Sequence, residues 1–145
     1  MLNSKISLSI RITQDGERSE TTYLADAAFI KKGEKVTLTF DEQNVEDDGV
    51  TKCRFEINNG TLLMKRNGPV IVEQTHKIGE KTQGSIKTPF GRMNTEVETT
   101  SFTFTERSLA EYQFHLTYEL YVGMERAGTY NLDLNIKVNN EEGGI

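Results

Sequence analysis

From Tyr112 to Val122 every second residue is apolar. Tyr112, Phe114, Leu116, Tyr118, Leu120 and Val122 share one face, while Gln113, His115 and Glu119 lie between them. Successive side chains of a strand point to opposite sides, so a segment with this period buries its apolar set only as a strand with one face on a core. Tyr130, Leu132, Leu134, Ile136 and Val138 repeat the pattern. Ile6, Leu8, Ile10 and Ile12 show it again near the start, against Lys5, Ser7, Ser9, Arg11 and Thr13. No segment carries a convincing helical period.

Shorter alternating runs fill the space between. Val36, Leu38 and Phe40 share a face, with Thr37, Thr39 and Asp41 opposite, and Thr51, Cys53, Phe55 and Ile57 form another set. Asp15-Gly16 and Asn58-Asn59-Gly60 supply residues that tolerate positive φ and so mark hairpin turns. Lys31-Lys32-Gly33-Glu34, Asn67-Gly68-Pro69, Ile78-Gly79-Glu80-Lys81 and Thr88-Pro89-Phe90-Gly91 turn the chain elsewhere. The acidic stretch 41–48 reads as a solvated connection. The long strand after Gly91 breaks its alternation: Met93, Thr95, Val97 and Thr99 share one face, but Phe102 and Phe104 fall on the face of Glu96 and Glu98. Either a bulge near Thr99–Ser101 returns the two phenylalanines to the core, or one barrel end is lined by polar groups.

Nine or ten such segments predict an all-β protein, a single antiparallel meander β-barrel of about eight to ten strands. Closure is favoured because a long open meander would leave exposed sheet edges, and it would pair the first strand with the last. Residues 1–138 are expected to form this one domain, with 139–145 a flexible tail. No composition break or internal repeat marks a second unit. With 145 residues, a hydrophobic core is available without cross-links, and a lone Cys53 forms none internally. Seventeen basic against 22 acidic side chains give a net charge of -5, which lacks the basic field that nucleic acid requires. The sequence also shows no apolar run near the roughly 20 residues of a membrane helix and no export signal. A cytoplasmic protein with neither nucleic-acid nor membrane partner is expected.

Thr88-Pro89-Phe90-Gly91 followed by Glu96-Val97-Glu98-Thr99 resembles the signature of the YwiB-like proteins, small bacterial domains of unknown function. The run from Phe29-Ile30-Lys31-Lys32-Gly33 to Phe40-Asp41-Glu42 resembles that family's second hairpin. Leu116-Thr117-Tyr118-Glu119-Leu120 and Leu132-Asp133-Leu134-Asn135-Ile136 are similar too, so the resemblance spans nearly the whole chain. It implies a calycin-type, lipocalin-like barrel of bacterial cytoplasmic origin, with no established activity or catalytic residue to carry over. The small-residue stretch Ala25-Asp26-Ala27-Ala28 departs from the family pattern.

No phosphate loop, serine elbow or dinucleotide fingerprint is present, and the spacings of Cys53, His76 and His115 match no metal-ligand pattern. No cofactor, metal or catalytic residue is assigned. Cys53, sharing a face with Phe55 and Ile57, is expected to be buried and inert. A barrel of nine or ten strands has room for a small ligand. Tyr23, Phe40, Phe55, Phe90, Tyr112, Phe114, Tyr118 and Tyr130 are candidate lining residues. Phe90, Arg92, Glu96 and Tyr118 are assigned to ligand binding near the cavity mouth, where Tyr and Arg offer polar groups beside apolar surface. The leading expectation is therefore a non-catalytic binder of a small molecule in the barrel interior. A second is an interaction or oligomerisation module using the outer surface at 87–92 or 41–48, the oligomeric state being open. A third is a hydrolase-like enzyme using Glu96 and Glu98, whose roughly 7 Å separation along a strand suits acid/base work. If either carboxylate points inward, Arg92, Arg54 or Arg11 is the candidate partner.

Overall fold

The structure, a computed structural model, describes residues 2–43 and 49–139. Ten strands run along the chain among these residues. They are β1 (Leu2–Gln14), β2 (Glu17–Lys32), β3 (Lys35–Gln43), β4 (Val50–Asn58), β5 (Thr61–Asn67), β6 (Ile71–Lys77), β7 (Lys81–Thr88), β8 (Gly91–Glu106), β9 (Glu111–Val122) and β10 (Glu125–Val138). Each pairs antiparallel with the next, and β1 pairs with β10 from Ser4↔Val138 to Thr13↔Thr129, closing the barrel. The all-β antiparallel barrel expected from alternation is the fold observed. Most of the 41–48 connection and residues 140–145 of the expected tail lie outside the described residues.

Two hairpin turns form where the sequence placed them. Asp15-Gly16 and Asn59-Gly60 adopt φ of 51° and 80°, and of 51° and 77°, the positive values a two-residue turn needs to match strand twist. The break in β8 is a bulge: Thr99 pairs with Tyr118 and Ser101 with Thr117, leaving Thr100 as the extra residue. Val97 and Thr99 are buried before it and Phe102 after it, so the switch of face keeps apolar residues inside on both sides. Most inward positions are apolar and most outward positions polar, with Gln74, His76, Thr95 and Thr99 the buried polar exceptions along β6 and β8.

The interior is not filled evenly. At the end where β1 begins, Phe29, Leu38, Phe114 and Leu116 are at most 2% exposed and pack with Ile6, Leu134 and Ile136. Each large side chain so buried contributes roughly 1.5–3 kcal/mol. Towards the far end, Ile10, Tyr23 and Tyr130 are only partly buried, although they continue the same inward rows. The wall is also uneven. β2 pairs with β3 only from Ala27↔Phe40 to Lys32↔Lys35, so residues 17–26 of β2 have β1 alone as a partner. The stretch Ala25-Asp26-Ala27-Ala28 is continuous strand at the point where that seam starts to part.

β6 and β7 pair directly only over Ile71–Glu73 and Ser85–Lys87. Beyond them the turn reaches past β7 to β8: Gly79 N–H donates to Thr99 O at 2.8 Å and Thr99 N–H to Glu80 O at 3.3 Å. Where the β6–β7 pairing ends, Gly84 has no room for a side chain: a Cβ would stand 2.3 Å from Glu73 O and 3.0 Å from Thr95 Oγ1. Gly84→Ala is therefore expected to lower stability by roughly 1–3 kcal/mol through overpacking, measured by urea unfolding. An alanine variant as stable as the parent would contradict that account.

Candidate functional site

The loosely filled end of the barrel contains a cavity of about 180 Å³. Its apolar wall includes Leu8, Ile10, Phe55, Met64 and Leu132, and its polar groups are Thr21, Tyr23, Glu42, Cys53, Arg66, Tyr118 and Tyr130. Glu42 reaches the interior because β3 continues its alternation through Val36, Leu38 and Phe40 without interruption. Arg66 follows Leu62 and Met64 on β5 in the same way. The guanidinium Nη2 donates to Glu42 Oε2 at 2.7 Å, and the carboxylate side chain is only 11% exposed. Each charge offsets the desolvation of the other, which an isolated ion at this depth would not tolerate.

The tyrosines complete the polar side. Tyr118 and Tyr130 stack with ring centroids 5.1 Å apart and planes 12° apart. Burial, with Tyr130 beside it, pushes the Tyr118 phenol well above its usual pKa, so it remains an uncharged donor. Burial and neighbouring Glu42 also raise Tyr23. The Tyr118 and Tyr130 hydroxyls make no hydrogen bond to another described residue, and neither oxygen is sealed in the core, so both are available to the cavity they line. Burial pushes the Cys53 thiol up to about 11, with Glu42 adding to the effect against Arg66, so it remains protonated at neutral pH.

A second polar group lies deeper, behind Tyr118. His76 on β6 is fully buried, its ring 4.6 Å from that of Tyr118. Its Nδ1 lies 3.0 Å from Thr99 Oγ1 and its Nε2 lies 3.2 Å from Gln74 Oε1. The tautomer that satisfies both has Nε2–H donating to Gln74 and Nδ1 accepting from the Thr99 hydroxyl. Burial lowers its pKa to about 4, so the ring is neutral at ordinary pH.

The four residues assigned to ligand binding from sequence separate in space. Tyr118 lines the cavity. Phe90 is wholly exposed at the β7–β8 turn, because β8 joins β9 only from Thr95 onward and the hairpin tip extends beyond the wall. Arg92 is exposed on the same hairpin, opposite Lys87. Glu96 and Glu98 point outward, since Thr95, Val97 and Thr99 occupy the inner face; Glu96 lies 4.0 Å from Lys81. These two carboxylates face solvent rather than a shared cleft, so the geometry for acid/base work is absent. Of the eight candidate aromatics, Tyr23, Phe40, Phe55, Tyr118 and Tyr130 line the cavity; Tyr112 and Phe114 belong to the packed core.

Glu42 was hidden in what the sequence presents as an acidic connection, but 41–43 is strand, and Arg66 supplies the countercharge. The signal for both was the inward parity of Val36…Phe40 and Leu62…Met64. His115 lies on the outer face, 2.6 Å from Asp133. Among the described residues no group of three His, Cys, Asp or Glu could hold a metal ion.

A wider groove of about 1280 Å³ lies outside, along the parted β2–β3 seam, and is lined in part by Lys5, Asp26, Asp41, Lys52 and Lys65. It is open to solvent, and its Lys5–Asp26 ion pair is largely exposed. The interior cavity is the better binding candidate because it withdraws a ligand from water and sets polar groups against an apolar wall.

Fold and interior together define a closed ten-stranded β-barrel protein with a small, partly polar cavity. The chain belongs to the family described as Domain of unknown function (DUF1934), which matches residues 6–134. It is 24% identical over 123 residues to the uncharacterized beta-barrel protein YwiB of Bacillus subtilis (strain 168), covering 85% of this chain and 84% of that protein. The crystal structure of the ywiB protein from Bacillus subtilis matches with a TM-score of 0.82 at 20% identity, over 95% of this chain and 92% of the other. The resemblance read from the Thr-Pro-Phe-Gly and hairpin motifs is thus a family relationship, and the solved relative shares the barrel.

Proposed function

We propose that the protein is a non-catalytic binder of one small molecule in the barrel interior. The observation that carries the reading is the cavity of about 180 Å³, where an Arg66–Glu42 pair and the Tyr118 and Tyr130 hydroxyls, without partners among the described residues, face an apolar wall. A cavity walled by apolar side chains is costly to leave empty, and hydroxyls turned into it are free to bond an occupant. Drug-sized ligands occupy pockets of about 300–1,000 Å³, whereas benzene enters one of about 150 Å³, so the occupant is on the scale of a single substituted ring.

Native mass spectrometry of protein purified from its own host, before and after denaturation, tests this reading. A reproducible increment of roughly 100–200 Da lost on denaturation is expected for a ligand of that scale. A homogeneous unliganded mass, together with protein-observed NMR spectra unchanged by a library of small ring compounds, would contradict it.

A further inference from the structure

The cavity's chemistry narrows what it holds, on the footing that the interior is a binding site. We propose that the ligand is a small, uncharged ring compound carrying a carbonyl oxygen, such as a ketone, lactone or amide, rather than an acid or a pure hydrocarbon.

Tyr118 and Tyr130 bring hydroxyl hydrogens that no described protein atom accepts. Arg66 has five N–H groups, of which one nitrogen donates to Glu42. The charged acceptor on this side is Glu42, and it is already engaged by Arg66. The site therefore has surplus donors converging on its polar side, and a ligand oxygen with two lone pairs is the complementary group. A hydrocarbon would leave these donors unpaired, while a ligand bearing only further donors would compete for Glu42.

Charge excludes the obvious alternative. Arg66 alone would favour a carboxylate, but Glu42 already balances it at 2.7 Å. A carboxylate beside the pair would bring a second negative charge to one guanidinium in a poorly solvated space, with like-charge repulsion from Glu42. A neutral carbonyl accepts the same hydrogen bonds without that cost. The remaining wall, with Leu8, Phe55, Met64 and Leu132, suits the ring rather than a second polar group.

Acetophenone, benzoate and ethylbenzene have similar shapes and differ in the property at issue. They are titrated into the full chain at neutral pH, following the backbone amides of Cys53, Met64 and Tyr118 by NMR. Acetophenone is expected to bind at least about tenfold more tightly than either competitor, a ratio within reach of one unpaired or mismatched polar group. Glu42→Gln, which leaves Arg66 uncompensated, is expected to raise benzoate affinity at least about tenfold and to remove or reverse the preference for acetophenone.

Equal binding of ethylbenzene and acetophenone would overturn the carbonyl assignment while leaving interior binding intact. Tighter binding of benzoate than of acetophenone by the unmodified protein would overturn the charge argument in the same way. If none of the three shifts the cavity amides, the interior-binding reading falls together with this proposal. The comparison in the unmodified protein requires no variant, so the test survives if Glu42→Gln does not fold.

Discussion

Phe114→Ala is expected to destabilise the barrel by about 3–5 kcal/mol, the range for removing a fully buried phenylalanine ring. Phe114 is 0% exposed and touches the two halves of the inner wall at once. Its ring meets Phe102 at 5.3 Å, edge to face, and Phe55 at 6.2 Å. Those partners lie on β8 and β4, so alanine would leave a void in the packed end that neither closed wall can easily collapse to fill. Domains of this size are commonly stable by about 5–15 kcal/mol, and the loss is a large fraction of that margin. Phe90→Ala supplies the comparison: the same ring is removed from a wholly exposed turn, where a change within about 0.5 kcal/mol is expected. Urea midpoints with unchanged slopes would measure both. Similar losses at the two sites would refute the placement of the core.

Acid should weaken the protein through His76. The folded-state pKa of about 4 lies below the ordinary value near 6.5, so the native chain resists a proton that the unfolded chain accepts. The corresponding stability is fully present above pH 6.5, declines as pH falls, and is gone near pH 4. At about 1.4 kcal/mol per unit the total is roughly 3 kcal/mol. His76→Gln removes the titrating ring and should flatten the stability profile between pH 6.5 and 5, even if it lowers stability throughout. Arg54 and Arg126 hold Glu56 and Glu119 below their usual pKa, with burial opposing this at both, so these carboxylates lose their contribution at lower pH and leave the upper window to histidine. Identical slopes in parent and variant across pH 6.5–5 would show that His76 is not the group responsible.

The barrel was legible wherever one periodicity ran unopposed. Ile6 to Ile12, Tyr112 to Val122 and Tyr130 to Val138 declare their inner faces directly, and Asn59-Gly60 declares its turn. The lost alternation between Thr99 and Phe102 was itself informative, because one extra residue, Thr100, restores it. The site was harder to read. Phe90 and Arg92 have the right chemistry for a binding pocket, but the sequence does not show that their hairpin extends beyond the β8–β9 pairing. Glu42 and Arg66 look like solvated charges until β3 and β4 bring β5 close enough for one to neutralise the other. Nothing local in the sequence marks His76 as buried; its Nδ1 lies beside the Thr99 hydroxyl, 23 positions away. At the β9–β10 turn the sequence offers no Asn-Gly pair, yet Met124 takes φ of 74° there after Gly123. Short-range periodicity reports which way a side chain points, whereas how deep it lies depends on strands far apart in the chain.

The β1–β10 ladder makes closure the concern of the chain's two most widely separated strands. Hairpins β1–β2 through β9–β10 can form from neighbouring residues, but Ser4 finds Val138, and Asn139 N–H finds Asn3 O, only across almost the full sequence. During synthesis, the inner row of β1 must therefore wait while the eight intervening strands emerge, with Ile6 and Leu8 lacking their final neighbours Ile136 and Leu134. A translation product arrested before β10 would possess nearly every local hairpin and still have two unprotected edges. The same adjacency lets a short peptide bridge join β1 to β10, making this protein a natural starting point for circular permutation, with new termini opened at the exposed β7–β8 tip.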